Sequence, residues 1–150
     1  MKNIENIRTN YKLGRLKSSD LEYSPINQFK AWFSEVVNKV PEPTAMTLST
    51  CDQKNLVSSR VVLMKEIKKD GFIFYTNYNS LKSEHIKNNP NVSLSFFWPT
   101  FQRQVRVHGL AVKTTYQSSV NYFKKSNNSF KEIIDASLIE GKELKLRKWK

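Results

Sequence analysis

The spacing of apolar residues changes at Ala45 from a helical period of about 3.6 to a strand period of about 2, and this change constrains the fold most. β-Branched and aromatic residues also become frequent there, as expected of strands. Hairpin-length turns, such as Lys68-Lys69-Asp70-Gly71, separate the runs. The predicted strands cover residues 45–50, 56–65, 72–77, 92–98 and 103–112. Such short connections predict an antiparallel β-barrel, in a mainly β fold with flanking helices, rather than a doubly wound sheet.

Helices are predicted on both sides of the strands and once between them. Ser24 and Pro25 are typical of a helix N-terminus, and an apolar stripe follows them. The predicted helices lie within residues 4–14, 25–40, 80–88 and 116–123. One domain is expected, with a helical N-terminal segment (1–43), the barrel (44–114) and a helical, basic C-terminal tail (115–150).

Composition limits the partners of this chain. At 150 residues it has the length of one domain. No apolar run approaches the roughly 20 residues that cross a bilayer, so no membrane segment and a cytoplasmic location are expected. The only cysteine, Cys51, lies in a predicted turn and has no partner for a disulfide. A formal charge of +12 indicates nucleic acid or a phosphorylated small molecule as a partner, or else a solvated basic surface.

The second predicted strand carries two cations in an apolar run. Arg60 and Lys65 are an odd number of residues apart, so on a regular strand they face opposite sides. Lys65 joins the face of Arg60 only through a bulge or at the strand end. A cation in such a strand favours an anionic partner, although an exposed barrel face is an equal alternative.

The third predicted strand ends at Tyr75 and Thr76 and leads into the helix that begins near Ser80. The free N–H groups and positive dipole end of a helix N-terminus favour phosphate, and Lys82 adds a full charge. Arg60 on the neighbouring strand is expected to contact the same phosphate. Without Arg60 nearby, an ordinary capped surface helix is the better interpretation.

On the fifth strand Gln104, Arg106 and His108 alternate with apolar residues, so one face is polar. The amide of Gln104 both donates and accepts, which suits the mixed edge of a flavin ring. With two histidines and no acidic partner at metal spacing, no metal site is expected. The sequence also lacks nucleophile, phosphate-loop and dinucleotide motifs, which favours a protein that positions a cofactor.

Five motifs occur in a fixed order between residues 60 and 107. They are Arg60-Val61-Val62-Leu63-Met64-Lys65, Phe74-Tyr75-Thr76-Asn77, Ser80-Leu81-Lys82-Ser83, Asn88-Asn89-Pro90 and Arg103-Gln104-Val105-Arg106-Val107. In order and spacing, this set resembles the pyridoxamine 5′-phosphate oxidases. Weaker similarity extends back to residues 7–11 and forward to Tyr122-Phe123.

The resemblance implies an FMN-binding split β-barrel of antiparallel Greek-key type and a homodimer with FMN at the subunit interface. It implies oxidation of pyridoxamine or pyridoxine 5′-phosphate to pyridoxal 5′-phosphate, by hydride transfer to the flavin and its reoxidation by oxygen. The implied substrate contacts are Lys65, Tyr122, Arg8 and Tyr11. The implied FMN contacts are Arg60, Val61, Val62, Leu63, Met64, Lys65, Tyr75, Thr76, Lys82 and Gln104.

The sequence departs from the family pattern at several positions. Leu81 stands where the family usually has an arginine on the flavin phosphate, and Ser126 where it has an arginine on the substrate phosphate. No clear match to a flavin-contacting Gln-Ser pair occurs near residues 135–137. Trp149 lies in the basic tail and is not the family's flavin-contacting tryptophan.

Two other functions stay open at this point. One is a flavin-binding module without catalysis. The other is a nucleic-acid-binding barrel that uses its cations and exposed aromatics such as Phe97 and Trp98, but nucleic acid explains Arg60, Lys65 and Lys82 less well than one phosphate pocket does.

Overall fold

The fold is an antiparallel β-barrel with three α-helices. It is described from a computed structural model, which covers residues 3–8, 10–13, 16–125 and 134–148. The helices are α1 (Pro25–Val36), α2 (Leu81–Asn88) and α3 (Tyr116–Lys125). The strands are β1 (Ala45–Cys51), β2 (Val57–Ile67), β3 (Gly71–Asn77), β4 (Asn91–Trp98), β5 (Arg103–Lys113) and β6 (Ile134–Lys148).

The strands close into a barrel in the order β1-β2-β3-β6-β5-β4, and every neighbouring pair is antiparallel. Two three-stranded meanders, β1-β2-β3 and β4-β5-β6, are joined along β1–β4 and β3–β6. The predicted mainly β, antiparallel barrel with flanking helices is therefore confirmed. α2 makes the connection from β3 to β4, as the sequence predicted.

The C-terminal region differs from the prediction. A helical, basic tail was expected over 115–150, but among the residues described there α3 is the one helix, and β6 occupies Ile134–Lys148. β6 pairs with both β3 and β5 and so completes the barrel. Its alternation of Leu144 and Leu146 with Lys145 and Arg147 has the strand period, but the high charge concealed that pattern.

The core lies where α1 packs against the barrel. Phe29 of α1 is fully buried, and its ring centroid lies 4.7 Å from that of Phe72, 4.9 Å from that of Phe96 and 5.8 Å from that of Trp98. Aromatic pairs at these separations and tilts are favourable. Trp98 also donates a hydrogen bond from its indole Nε1 to the carbonyl oxygen of Pro43 (3.1 Å). Trp98 is therefore a core residue, and the expectation that it is exposed was wrong.

Two short turns shape β1, β2 and β3. The turn before β2 places Asn55 in the left-handed region (φ 65°), and Asp52 Oδ1 accepts hydrogen bonds from two backbone N–H groups there. Cys51 is the last residue of β1 and half-buried rather than part of the turn. The predicted turn at 68–71 closes with a 2.8 Å hydrogen bond from Lys68 N to the carbonyl of Gly71.

The N-terminal segment also differs from the prediction. An amphipathic helix was expected within residues 4–14, but the described part of this segment has a 3₁₀ turn at Ile4–Asn6, followed by another at Ser18–Asp20, and no α-helix. Ile4 and Ile7 are 77% and 66% exposed, so the apolar spacing has no surface to pack on. Short isolated helices are marginal without such packing.

Among the described residues, no helix is long and apolar enough to cross a membrane.

Replacing Phe29 with alanine tests the core. We expect Phe29→Ala to lower the free energy of unfolding by about 3–5 kcal/mol, because it leaves a cavity among three aromatic rings. Tyr23→Ala is the matched control, since Tyr23 is fully exposed and its loss should cost no more than about 0.5 kcal/mol. Urea denaturation followed by circular dichroism measures both, and equal losses would contradict this assignment of the core.

Candidate functional site

Arg60 extends from β2 on the face that turns toward the barrel interior. It pairs in register with Leu48 of β1, whose side chain is fully buried. Arg60 Nη1 donates hydrogen bonds to Thr50 Oγ1 (2.8 Å), to the carbonyl of Ser58 (2.9 Å) and to the carbonyl of Leu48 (3.2 Å). Burial lowers the pKa of Arg60. Arg60 is thus a half-buried cation fixed through one end of its guanidinium group.

Lys82 lies in the first turn of α2, and its Nζ donates a 2.9 Å hydrogen bond to Ser80 Oγ. Burial lowers the pKa of Lys82, and the positive charge of Arg60 lowers it further. The strand cation and the beginning of the helix are therefore close enough to interact. In the part of the chain that the structure describes, neither Arg60 nor Lys82 forms a salt bridge. Two like charges without a carboxylate favour an anion between them.

The turn before α2 is ordered by serine hydroxyls. Ser80 holds the predicted N-cap position, but its hydroxyl donates to the carbonyl of Asn77 (2.6 Å) and accepts from no backbone N–H of the helix. Ser83 Oγ donates to the same carbonyl (2.7 Å). Leu81, the first residue of α2, is 59% exposed. Free N–H groups at this N-terminus are available to an anionic ligand.

The other predicted contacts of β2 are divided between its two faces. Val61 is exposed, whereas Val62 and Met64 pack in the core. Lys65 is exposed and lies at a bulge, where the register with β3 shifts between Met64 and Glu66. From the sequence, Lys65 needed a bulge or the strand end to reach the face of Arg60, and a bulge is present. Leu63, also on β2, is half-buried.

Two aromatic residues of the predicted site are in contact. The rings of Tyr75 on β3 and Tyr122 on α3 stack with centroids 3.7 Å apart and planes 8° apart. Burial raises the pKa of Tyr75, and the charges of Glu66 and Tyr122 act in the same direction. The stack brings together one predicted flavin contact and one predicted substrate contact.

The structure also describes three further predicted regions. Thr76 is buried, and its hydroxyl has no hydrogen-bond partner among the described residues. Gln104 is half-buried on β5, and its Nε2 donates a 3.3 Å hydrogen bond to Ser95 Oγ. Arg8 and Tyr11 are exposed in the N-terminal segment, and their part in the site stays a prediction. Ser126 and Trp149 lie outside the described residues.

Two buried polar residues next to Arg60 were not predicted from the sequence. Thr50 is 1% exposed, and its Oγ1 accepts a hydrogen bond from Arg60. His85 of α2 is 6% exposed, and its Nδ1 lies 3.2 Å from Thr50 Oγ1. His85 had been considered only as a metal ligand. The hairpin register that pairs Leu48 with Arg60 is the signal that places Thr50 beside that arginine.

Comparisons with known proteins identify the family. The family model described as "Pyridoxamine 5'-phosphate oxidase" matches residues 33–149. The chain belongs to the pyridoxamine 5′-phosphate oxidase family. It is 45% identical over 123 residues to the pyridoxine/pyridoxamine 5′-phosphate oxidase of Rhodopirellula baltica, a match that covers 80% of this chain and 55% of the relative. The corresponding enzyme of Teredinibacter turnerae is 46% identical over 81% of this chain and 58% of its own length.

The chain therefore spans little more than half the length of these relatives.

Solved structures agree on the fold. A PhzG structure from Burkholderia lata superimposes with a TM-score of 0.76 at 21% identity, covering 85% of this chain and 81% of PhzG. A pyridoxamine 5′-phosphate oxidase-related, FMN-binding protein from Nostoc punctiforme gives 0.71 at 11% identity, covering 84% and 86%. These similarities confirm the split-barrel fold.

The proximity of the two cations predicts a measurable shift. In Arg60→Gln we expect the pKa of Lys82 to rise toward its ordinary value, because a repelling charge is removed while burial remains. An NMR titration of the Lys82 ε-methylene resonance measures this pKa. Arg8→Gln, which removes an exposed arginine, should leave it unchanged. An unchanged pKa in Arg60→Gln would show that the two cations do not interact.

Proposed function

We propose that this protein binds FMN and that the cofactor phosphate lies between Arg60 and the beginning of α2. The observation that carries this proposal is the pair of half-buried cations, Arg60 and Lys82, which are close enough for one charge to lower the pKa of the other and form no salt bridge with a carboxylate among the described residues. A phosphate dianion compensates the charges of Arg60 and Lys82 and accepts hydrogen bonds from free N–H groups at the beginning of the helix. Because Leu81 replaces the family's usual arginine, these two cations supply most of the phosphate charge compensation.

The remaining residues of this site suit a flavin. The hydroxyl of Thr76, which has no hydrogen-bond partner among the described residues, is a buried group that a ligand can satisfy. The amide of Gln104 can donate to and accept from the polar edge of the ring. The proposed cofactor contacts are Arg60, Val61, Val62, Leu63, Met64, Lys65, Tyr75, Thr76, Lys82 and Gln104.

The proposed reaction is oxidation of pyridoxamine or pyridoxine 5′-phosphate to pyridoxal 5′-phosphate, a step of vitamin B6 metabolism. The names of the relatives at 45–46% identity support it. FMN, when bound, would supply the acceptor for hydride and the route for electrons to oxygen. On this chain, Lys65 and Tyr122 would bind the substrate phosphate, with Arg8 and Tyr11 covering the site. Because the ring of Tyr122 stacks on Tyr75, it is held beside a residue that we propose to contact the flavin.

We also propose a homodimer with FMN at the subunit interface. Val57 and Val61 of β2 and Phe97 of β4 are 69%, 66% and 52% exposed, on the two strands that flank β1. Val61 and Phe97 line a pocket of about 200 Å³ together with Ala45, Met46, Thr47 and Ser95. Exposed apolar surface of this kind is typical of protein interfaces. Sedimentation that shows only monomer in saturating FMN would contradict the dimer.

Comparing FMN with riboflavin tests the phosphate site. We expect Arg60→Ala and Lys82→Ala each to weaken FMN binding by about ten- to a hundredfold, because a charge-assisted hydrogen bond contributes about 1.5–3 kcal/mol. Riboflavin lacks the phosphate, so its affinity should change much less. Quenching of flavin fluorescence measures both dissociation constants.

Lys82→Arg is the matched control, because it keeps the charge and should retain most of the preference for FMN. Equal losses of FMN and riboflavin affinity in the alanine variants would contradict a phosphate role for these residues.

Turnover tests the proposed reaction. Protein saturated with FMN should convert pyridoxamine 5′-phosphate to pyridoxal 5′-phosphate and release hydrogen peroxide in equal amounts, both of which absorbance assays detect. Protein that binds FMN but forms neither product would be a flavin-binding module without oxidase activity. Colourless protein that binds single-stranded nucleic acid with a steep salt dependence would instead support a nucleic-acid-binding barrel.

A further inference from the structure

A chain of hydrogen bonds connects the two halves of the proposed phosphate site behind the cations. It runs from Arg60 on β2 to Thr50 on β1 and on to His85 on α2. Arg60 Nη1 lies 2.8 Å from Thr50 Oγ1, and Thr50 Oγ1 lies 3.2 Å from His85 Nδ1. Thr50 and His85 are 1% and 6% exposed, so water does not readily replace either partner.

Chemistry fixes the direction of the first of these bonds. Arginine can only donate, so Thr50 Oγ1 accepts a hydrogen bond from Arg60. The Thr50 hydroxyl keeps its own hydrogen and a second lone pair, so the tautomer of His85 sets the direction of the bond between Thr50 Oγ1 and His85 Nδ1. In either direction the His85 ring holds the hydroxyl oxygen that accepts from Arg60.

The chain of bonds also restricts the orientation of Arg60. An arginine side chain has several rotatable bonds, and ordering it costs conformational entropy. The three hydrogen bonds that Arg60 donates within the described residues all use Nη1, with Thr50 Oγ1 as the only side-chain acceptor. The other guanidinium nitrogens donate to no acceptor in that part of the chain, so they remain for a ligand. A pre-oriented guanidinium binds phosphate with less entropic cost.

His85 connects this arginine to the helix of the other cation. His85 lies on the same helix as Lys82, and the backbone carbonyl of His85 accepts a 2.7 Å hydrogen bond from Asn89 N at the end of α2. The Thr50–His85 contact therefore links the helix that carries Lys82 to the strand next to that of Arg60.

From this geometry we propose that Thr50, oriented by His85, is a positioning residue that holds Arg60 in place for the phosphate of the cofactor. The inference rests on the proposed binding of FMN. Neither Thr50 nor His85 is assigned a contact with the ligand, so both act through Arg60.

Replacing Thr50 with valine tests this inference. Thr50→Val keeps the shape of the side chain and removes the hydroxyl that Arg60 and His85 share. We expect the dissociation constant of FMN to rise about tenfold, which corresponds to about 1.4 kcal/mol, and that of riboflavin to rise less than about twofold. The ratio of the two constants, measured by fluorescence quenching, is a readout that a general loss of stability does not change in this way.

Thr50→Ser and Thr114→Val are the controls. Serine keeps the hydroxyl and should preserve the wild-type ratio. Thr114→Val removes another buried hydroxyl, one without a hydrogen-bond partner among the described residues, and should also leave the ratio unchanged. If Thr50→Val does not fold, His85→Leu removes the ring that bonds to Thr50 and should lower the preference for FMN, whereas His85→Gln, which retains a hydrogen-bonding side chain, should restore part of it.

The outcomes separate this inference from the proposed function. Wild-type protein that binds FMN no better than riboflavin would contradict the phosphate site itself. A wild-type preference for FMN that persists unchanged in Thr50→Val, or in His85→Leu where that variant is the one that folds, would overturn only the positioning role of Thr50.

Discussion

The repulsion between Arg60 and Lys82 is the constraint on which the candidate site depends. Burial and mutual proximity both lower the pKa of Lys82, so the fold holds two cations where neither is fully solvated. Neither cation forms a salt bridge in the described part of the chain. An arrangement of this kind costs free energy until an anion binds, and it is therefore better explained by a ligand than by stability.

The barrel and its helices create this arrangement from distant parts of the sequence. The β1–β2 hairpin pairs Arg60 with Leu48 and so directs the arginine toward the inside of the barrel, next to Thr50. α2 follows β3 and brings Lys82 toward the same region. The contact between Thr50 and His85 connects that helix to β1 of the barrel. At α1, Phe29 packs against the barrel aromatics, while Arg103 of β5 forms a 2.9 Å salt bridge with Glu35.

Local patterns were sufficient to predict much of this fold. The first five strands, α1 and α2 follow from apolar period and turn residues. The charge of Arg60 acts on Lys82, as a shared site requires, while their contact with one phosphate stays a prediction. The failures involve tertiary context. β6 pairs with two distant strands despite its high charge, Trp98 is buried by α1, and the N-terminal apolar spacing at 4–14 lacks a surface to pack on. The role of His85 depends on the fold, which brings its ring beside Thr50.

A crystal structure of the protein with FMN tests the central claim most directly. We predict that the phosphate accepts hydrogen bonds from the guanidinium of Arg60, from Lys82 Nζ and from backbone N–H groups at the beginning of α2. We also expect Arg60 to keep its hydrogen bond to Thr50. A phosphate bound elsewhere on the protein, with no anion in contact with Arg60 or Lys82, would contradict this claim.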